Sequence, residues 1–174
     1  RESAVNFADY ATRVPGLNFS ISYTTRSPRG SEQGGREYHF VSREEFEAMA
    51  QRGDFLEHAE VHGKYYGTAK VFLQRARDAG KDLLLDIDVQ GAIHVQQQFA
   101  DNCLSIFIQP PSVAELRRRL EARGTETPES LETRVNKASY EMSFNHHFTK
   151  TILNEDLEKA CAETEQVIKD FLGW

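Results

Sequence analysis

Apolar positions change period repeatedly along this chain, and each change predicts an element. Val5, Phe7, Ala8, Tyr10, Ala11 and Val14 recur at helical spacing, predicting a helix over residues 4–14 that Pro15-Gly16 ends. Phe19, Ile21 and Tyr23 then alternate with Ser20, Ser22 and Thr24, the pattern of a strand over 18–24. Residues 25–37 crowd glycine, proline and charge, and predict a loop. Ser42 and Glu45 stand at capping-box spacing ahead of Phe46 and Met49, so a helix begins there and closes at Gly53. Phe55 to Val61 reads as an irregular strand that contains Glu57 and Glu60. His62 to Thr68 reads as a turn and short strand, with Thr68 placed to cap a helix that stops at Gly80.

The second half alternates more regularly. Leu83-Leu84-Leu85 predicts a buried parallel strand with Asp86 and Asp88 at its C-terminal end. A helix follows, then a second buried strand over Leu104 to Ile108. Pro110-Pro111-Ser112 opens another helix, with Glu115 completing a capping box, and Thr127-Pro128 opens the next with proline at its first position. Residues 151–153 predict a last strand and 157–172 a last helix. Strands alternating with helices after residue 80 imply an α/β fold with a parallel sheet, and the more β-rich block at about 25–67 implies an inserted subdomain.

The length, 174 residues, suits one domain that buries a core without a disulfide scaffold. There are two cysteines, Cys103 and Cys161. With Cys103 in an apolar run and read as a buried, inert thiol, they imply a reduced, cytoplasmic protein. No stretch reaches membrane-span length, and the N-terminus lacks a basic-then-apolar signal pattern. A net charge of −6 speaks against nucleic acid as a partner. Positive charge is instead local, at Arg26, Arg29 and Arg36, which suits a small anion.

Arg26 and Arg29 are the first candidate chemistry. A guanidinium forks onto phosphate oxygens, and Ser27-Pro28 stiffens the loop that aims the pair. Tyr38 and Tyr66 add neutral donors. Glu57 is the second candidate. Guanine presents a ring N–H and an exocyclic amine on one edge, and one carboxylate accepts from both, a pattern adenine cannot match. A hydroxyl from Ser22 or Thr68 would serve the guanine oxygen. Asp86 and Asp88, two apart on a strand, would share a face beyond the strand end, where ligands of open α/β sheets collect. Gln90-Gly91 would follow in a tight turn, and the two carboxylates would orient magnesium waters or hold the base. Among Arg117, Arg118, Arg119 and Arg123, successive arginines fan about 100° apart on a helix, so only Arg119 and Arg123 share a face. With Arg134 they suit a lid over transferred phosphate, while Arg117 and Arg118 read as a solvated face. The histidines show no metal-ligand spacing.

Taken in order, Ser20-Ile21-Ser22-Tyr23-Thr24-Thr25-Arg26, Ser27-Pro28-Arg29, Phe55-Leu56-Glu57, Glu60-Val61-His62-Gly63, Tyr65-Tyr66-Gly67-Thr68, Leu85 through Ala92 and Arg123-Gly124-Thr125-Glu126-Thr127 resemble guanylate kinases over about residues 14–172. The resemblance implies a P-loop NTPase-like parallel sheet flanked by helices, with an inserted GMP-binding subdomain and a helical lid. By its boundaries, residues 1–24, 69–112 and 145–174 would be core, 25–68 the GMP-binding subdomain and 113–144 the lid. It implies ATP and GMP as substrates, with magnesium. Ser22, Glu57 and Thr68 would hold the guanine, with Asp86 or Asp88 nearby and Gly67 also in the GMP site. Arg26, Arg29, Tyr38 and Tyr66 would hold the GMP phosphate, Arg29, Arg123 and Arg134 would act in transfer, and Arg119, Arg123 and Asn154 would serve ATP.

Two departures stand out. The family's first strand and glycine-rich phosphate loop with lysine belong just before residue 4, where Arg1-Glu2-Ser3 stand, so the real molecule is expected to contain that stretch. Phe148-Thr149-Lys150 replaces a usual acidic–aromatic pair near the adenine. The alternative reading is a catalytically inactive, guanylate-kinase-like interaction domain. Oligomeric state stays open.

Overall fold

A computed structural model describes Val14 and residues 16–174. The helix expected over residues 4–14 lies outside the described residues apart from Val14. The described residues divide into two compact units on either side of the Val95–Gln96 bond.

In the first unit, residues 18–24 do not make one strand. β1 (Leu17–Phe19) pairs in parallel with β6 (Asp82–Leu84), whereas β2 (Tyr23–Thr24) belongs to another sheet. The alternation runs through both pieces, but each end has its own partner, and residues 20–22 carry the chain across. The second sheet has the order β3-β2-β5-β4. Its other members are β3 (His39–Phe40), parallel to β2, and the hairpin of β4 (Phe55–Val61) with β5 (Lys64–Ala69).

Helix α1 (Arg43–Gln51) packs on this sheet through Phe46, which is 2% exposed. The Phe46 ring meets Phe55 at 4.6 Å and Tyr65 at 5.5 Å between centroids. The expected N-cap forms, with Ser42 Oγ accepting from the Glu45 N–H at 3.1 Å. Gly67 lies on the Phe55 side of β5, where a Cβ would stand 2.7 Å from Phe55 Cε1, so the aromatic cluster needs glycine there.

Three local expectations are corrected. α2 (Lys70–Asp78) starts after Ala69 with no side-chain cap, because the Thr68 hydroxyl is committed elsewhere. β6 ends at Leu84, so Asp86 and Asp88 sit in the following loop rather than on the strand. Gln90-Gly91 is no turn: it lies in the first turn of α3 (Val89–Phe99), where the Gln90 N–H donates to Asp88 Oδ2 at 3.3 Å.

In the second unit, β7 (Ile106–Gln109) pairs in parallel with β8 (Lys150–Leu153). Helices α4 (Val113–Arg123), α5 (Pro128–Met142) and α6 (Leu157–Leu172) complete it. Phe107, Leu120, Val135, Ile152, Ala160 and Ile168 are buried here. Thr127 and Ser130 close a reciprocal capping box around Pro128. Ser112 caps α4 by accepting from the Glu115 N–H, but the Glu115 carboxylate turns to Arg118 and Arg119 instead of completing the box. Among the described residues no helix is long and apolar enough to cross a membrane.

Candidate nucleotide site

One face of the four-stranded sheet gathers polar side chains. Residues opposed across an antiparallel pair share a face, and residues two apart share it again. Thr24 opposes Tyr66, and a register shift after Phe55 sets Glu57 opposite Thr68. Thr24, Tyr66, Thr68 and Glu57 therefore stand together, opposite the face that carries Phe55. Without that bulge, the strict alternation of β4 would not bring the carboxylate onto this face. Ser22, also buried, lies immediately before β2.

Glu57 is 7% exposed and Thr68 is fully buried. The Thr68 hydroxyl donates to Glu57 Oε1 at 2.7 Å, which fixes the carboxylate. Burial pushes the Glu57 carboxyl above the usual range, the Thr68 hydroxyl pulls it down, and the charge of Asp88 pushes it up again. Asp88 and Thr68 thus both act on the Glu57 carboxylate. Glu57 also abuts Gly91 in the first turn of α3.

At the other end of this face, Arg26 is buried and forks onto Glu32: Nη1 to Oε1 at 2.9 Å and Nη2 to Oε2 at 3.1 Å. Its guanidinium lies 5.0 Å from the centre of the Tyr38 ring, and the Tyr38 and Tyr66 rings are 5.9 Å apart. Glu32 raises the Arg26 pKa, burial opposes that, and the Tyr38 and Tyr66 hydroxyls add to the rise. In return, Arg26 holds the Glu32 carboxyl below the usual carboxylate range. Glu32 also accepts from the Arg29 N–H at 2.7 Å, while its own N–H donates to the Arg29 carbonyl at 3.0 Å. The loop is thereby stitched into a turn that leaves the Arg29 side chain exposed. Sequence reasoning missed Glu32, since a carboxylate six residues on, across Pro28 and Gly30, has no periodic signature. Its carboxylate occupies the fork as a phosphate would.

The second unit holds the other arginines. Arg119 Nη1 donates to the Asn154 carbonyl at 2.9 Å and Nη2 to the Glu155 carbonyl at 3.4 Å, while Nε meets Glu115 at 2.9 Å. Arg119 thus ties the β8–α6 connection to α4. Arg118 and Arg119 together bring the Glu115 carboxyl down to about 2. Arg134 Nε pairs with Glu126 at 2.9 Å, and Glu126 also receives the Ser130 hydroxyl at 2.6 Å. Glu126 and Glu115 were not foreseen as partners of arginines, although Glu115 and Arg119 stand at the readable spacing of four. Arg123 is exposed in the last turn of α4, before Gly124 in the left-handed conformation. Arg118 is the exposed residue expected, but Arg117 bridges to Glu132 of α5. Among the described residues, no three His, Cys, Asp or Glu side chains gather as a metal site.

The guanylate kinase family model matches residues 7–171. A guanylate kinase of Bacteroides fragilis is 48% identical over 158 residues, covering 90% of this chain and 78% of that protein. A guanylate kinase of Koribacter versatilis is 49% identical over 158 residues, covering 89% and 67%. Among solved structures, the guanylate kinase from Anaplasma phagocytophilum superimposes with a TM-score of 0.78 at 34% identity, covering 94% of this chain and 79% of that one. With the family model spanning nearly its whole length, the chain belongs to the guanylate kinase family.

Proposed function

We propose that the protein transfers the terminal phosphoryl group of ATP to GMP, giving ADP and GDP. The observation that carries this reading is the single polar sheet face, with the buried Glu57 carboxylate, held by the Thr68 hydroxyl, at one end and the Arg26–Tyr38–Tyr66 cluster at the other. A nucleoside monophosphate has that polarity, with base edge and phosphate at opposite ends. Glu57 accepts from the guanine ring N–H and amine, with Ser22, Thr68 and Asp86 or Asp88 serving the same base. Arg26, Arg29, Tyr38 and Tyr66 bind the phosphate. Gly67 keeps the Phe55 ring packed behind them.

In the reaction, a GMP phosphate oxygen attacks the γ-phosphorus, and the β–γ bridging oxygen leaves with ADP. The protein contributes position and charge more than proton transfer. We assign charge neutralisation to Arg123 and Arg134, and the ATP base side to Asn154, with Arg119 bracing it. Residues 25–68 act as the GMP-binding subdomain and 113–144 as the lid, with 1–24, 69–112 and 145–174 as core. Magnesium bound with ATP would supply phosphate neutralisation. Asp86 and Asp88 offer the oxygen donors that suit its water shell. The free cysteines fit a reducing cytoplasm.

The deciding experiment is ADP formation from ATP with GMP, against AMP, CMP and UMP. Turnover with GMP alone is expected. Turnover spread over all four, or none, would overturn the assignment.

A further inference from the structure

Gly91 carries a normal helical backbone, since its φ is not in the positive range that requires glycine. It is also buried in the first turn of α3, where alanine is the better helix former. The reason for glycine is therefore spatial. A Cβ built there would overlap Glu57 Oε2 and stand 3.0 Å from Cδ and 3.4 Å from Cγ. Glu57 cannot yield cheaply, because its other oxygen is held by Thr68 at 2.7 Å and the side chain is buried.

We infer that Gly91 is a specificity-determining residue of the base site: the missing side chain creates the slot in which the Glu57 carboxylate faces the guanine edge. Gly91 is a positioning residue and touches no nucleotide in this account. A methyl group at position 91 would displace the carboxylate by roughly an ångström, and misplacement on that scale is enough to spoil paired hydrogen bonds. The inference rests on the guanine-reading role of Glu57.

The test compares Gly91→Ala, Glu57→Gln and the double variant Gly91→Ala/Glu57→Ala in the full chain. GMP and inosine monophosphate, whose base lacks the exocyclic amine, are titrated calorimetrically, and thermal unfolding is followed in parallel. Gly91→Ala is expected to weaken GMP at least tenfold and to shrink the preference for GMP over inosine monophosphate. Its melting temperature should fall, and removing the carboxylate in the double variant should restore it. GMP affinity within twofold of the parent in Gly91→Ala, while Glu57→Gln loses it, would overturn the slot and leave the guanine reader standing. Unchanged affinity in Glu57→Gln would overturn the reader and the slot together. If Gly91→Ala does not fold, the double variant decides: recovered folding supports the slot, and continued unfolding overturns it.

Discussion

Replacing Glu57 by glutamine keeps the shape of the side chain and removes one acceptor and the charge. The carboxamide oxygen is already the natural acceptor for the Thr68 hydroxyl, which now donates to Oε1 at 2.7 Å. The amide NH2 would then face two guanine donors. Losing a hydrogen bond to a charged group costs about 1.5–3 kcal/mol, and leaving a buried donor unmatched costs about 1–3 kcal/mol more. GMP affinity should therefore fall by about 3–5 kcal/mol, roughly 10²- to 10⁴-fold.

The same substitution tests the electrostatics. Burial raises the folded carboxyl pKa above its unfolded value, so this group favours folding below the unfolded pKa, and that contribution is lost as pH rises through the folded pKa. Above that pKa the ionised side chain burdens the empty protein. Glu57→Gln, neutral throughout, should melt at or above the parent at neutral pH. GMP binding by the parent should weaken as pH falls through the raised pKa, whereas the variant should stay flat there. Calorimetric titration over a pH series with parallel melting curves provides both readouts. A loss of GMP affinity under fivefold, or a parallel pH profile in the two proteins, would refute the reasoning.

Arg123→Ala should lower kcat far more than it changes GMP binding, and equal losses in steady-state kinetics and equilibrium titration would contradict a role in transfer. Arg119→Ala releases the Asn154 and Glu155 carbonyls, so KM for ATP should rise while KM for GMP holds; a fall confined to kcat would instead place Arg119 on the moving phosphate. Phe46→Ala empties the aromatic cluster under the sheet and should cost about 3–5 kcal/mol in denaturant unfolding; a loss under about 1 kcal/mol would mean that the cluster is not the core of that sheet.

The order of motifs was legible because each binding element is a short local string. The helix starts at Ser42, Ser112 and Thr127 were legible because caps are local chemistry. What the sequence concealed depends on pairing. Residues 18–24 alternate without a break, yet β1 and β2 join different sheets, since periodicity records which face is buried and not which neighbour is hydrogen-bonded. Thr68 looked like a cap and serves Glu57, a choice made by a register shift that no window on β5 alone reveals. Gly91 looked like a turn glycine, and only the carboxylate lying across the helix explains it. The carboxylate partners of Arg26 and Arg134 stand six and eight residues away, distances fixed by loop geometry rather than by any helical or strand period.

Those partners bear on how the empty protein behaves in a solution crowded with anions. Arg26 and Arg134 rest against Glu32 and Glu126, so two of the cations assigned to nucleotide phosphate are locally neutralised before any substrate arrives. An incoming phosphate must exchange with a carboxylate already in place, and a bare inorganic anion has little to offer in that trade. A nucleotide brings its base as well. On the proposed assignment, the resting protein is a selective ion exchanger, whose counter-ions yield only to an anion anchored at a second point.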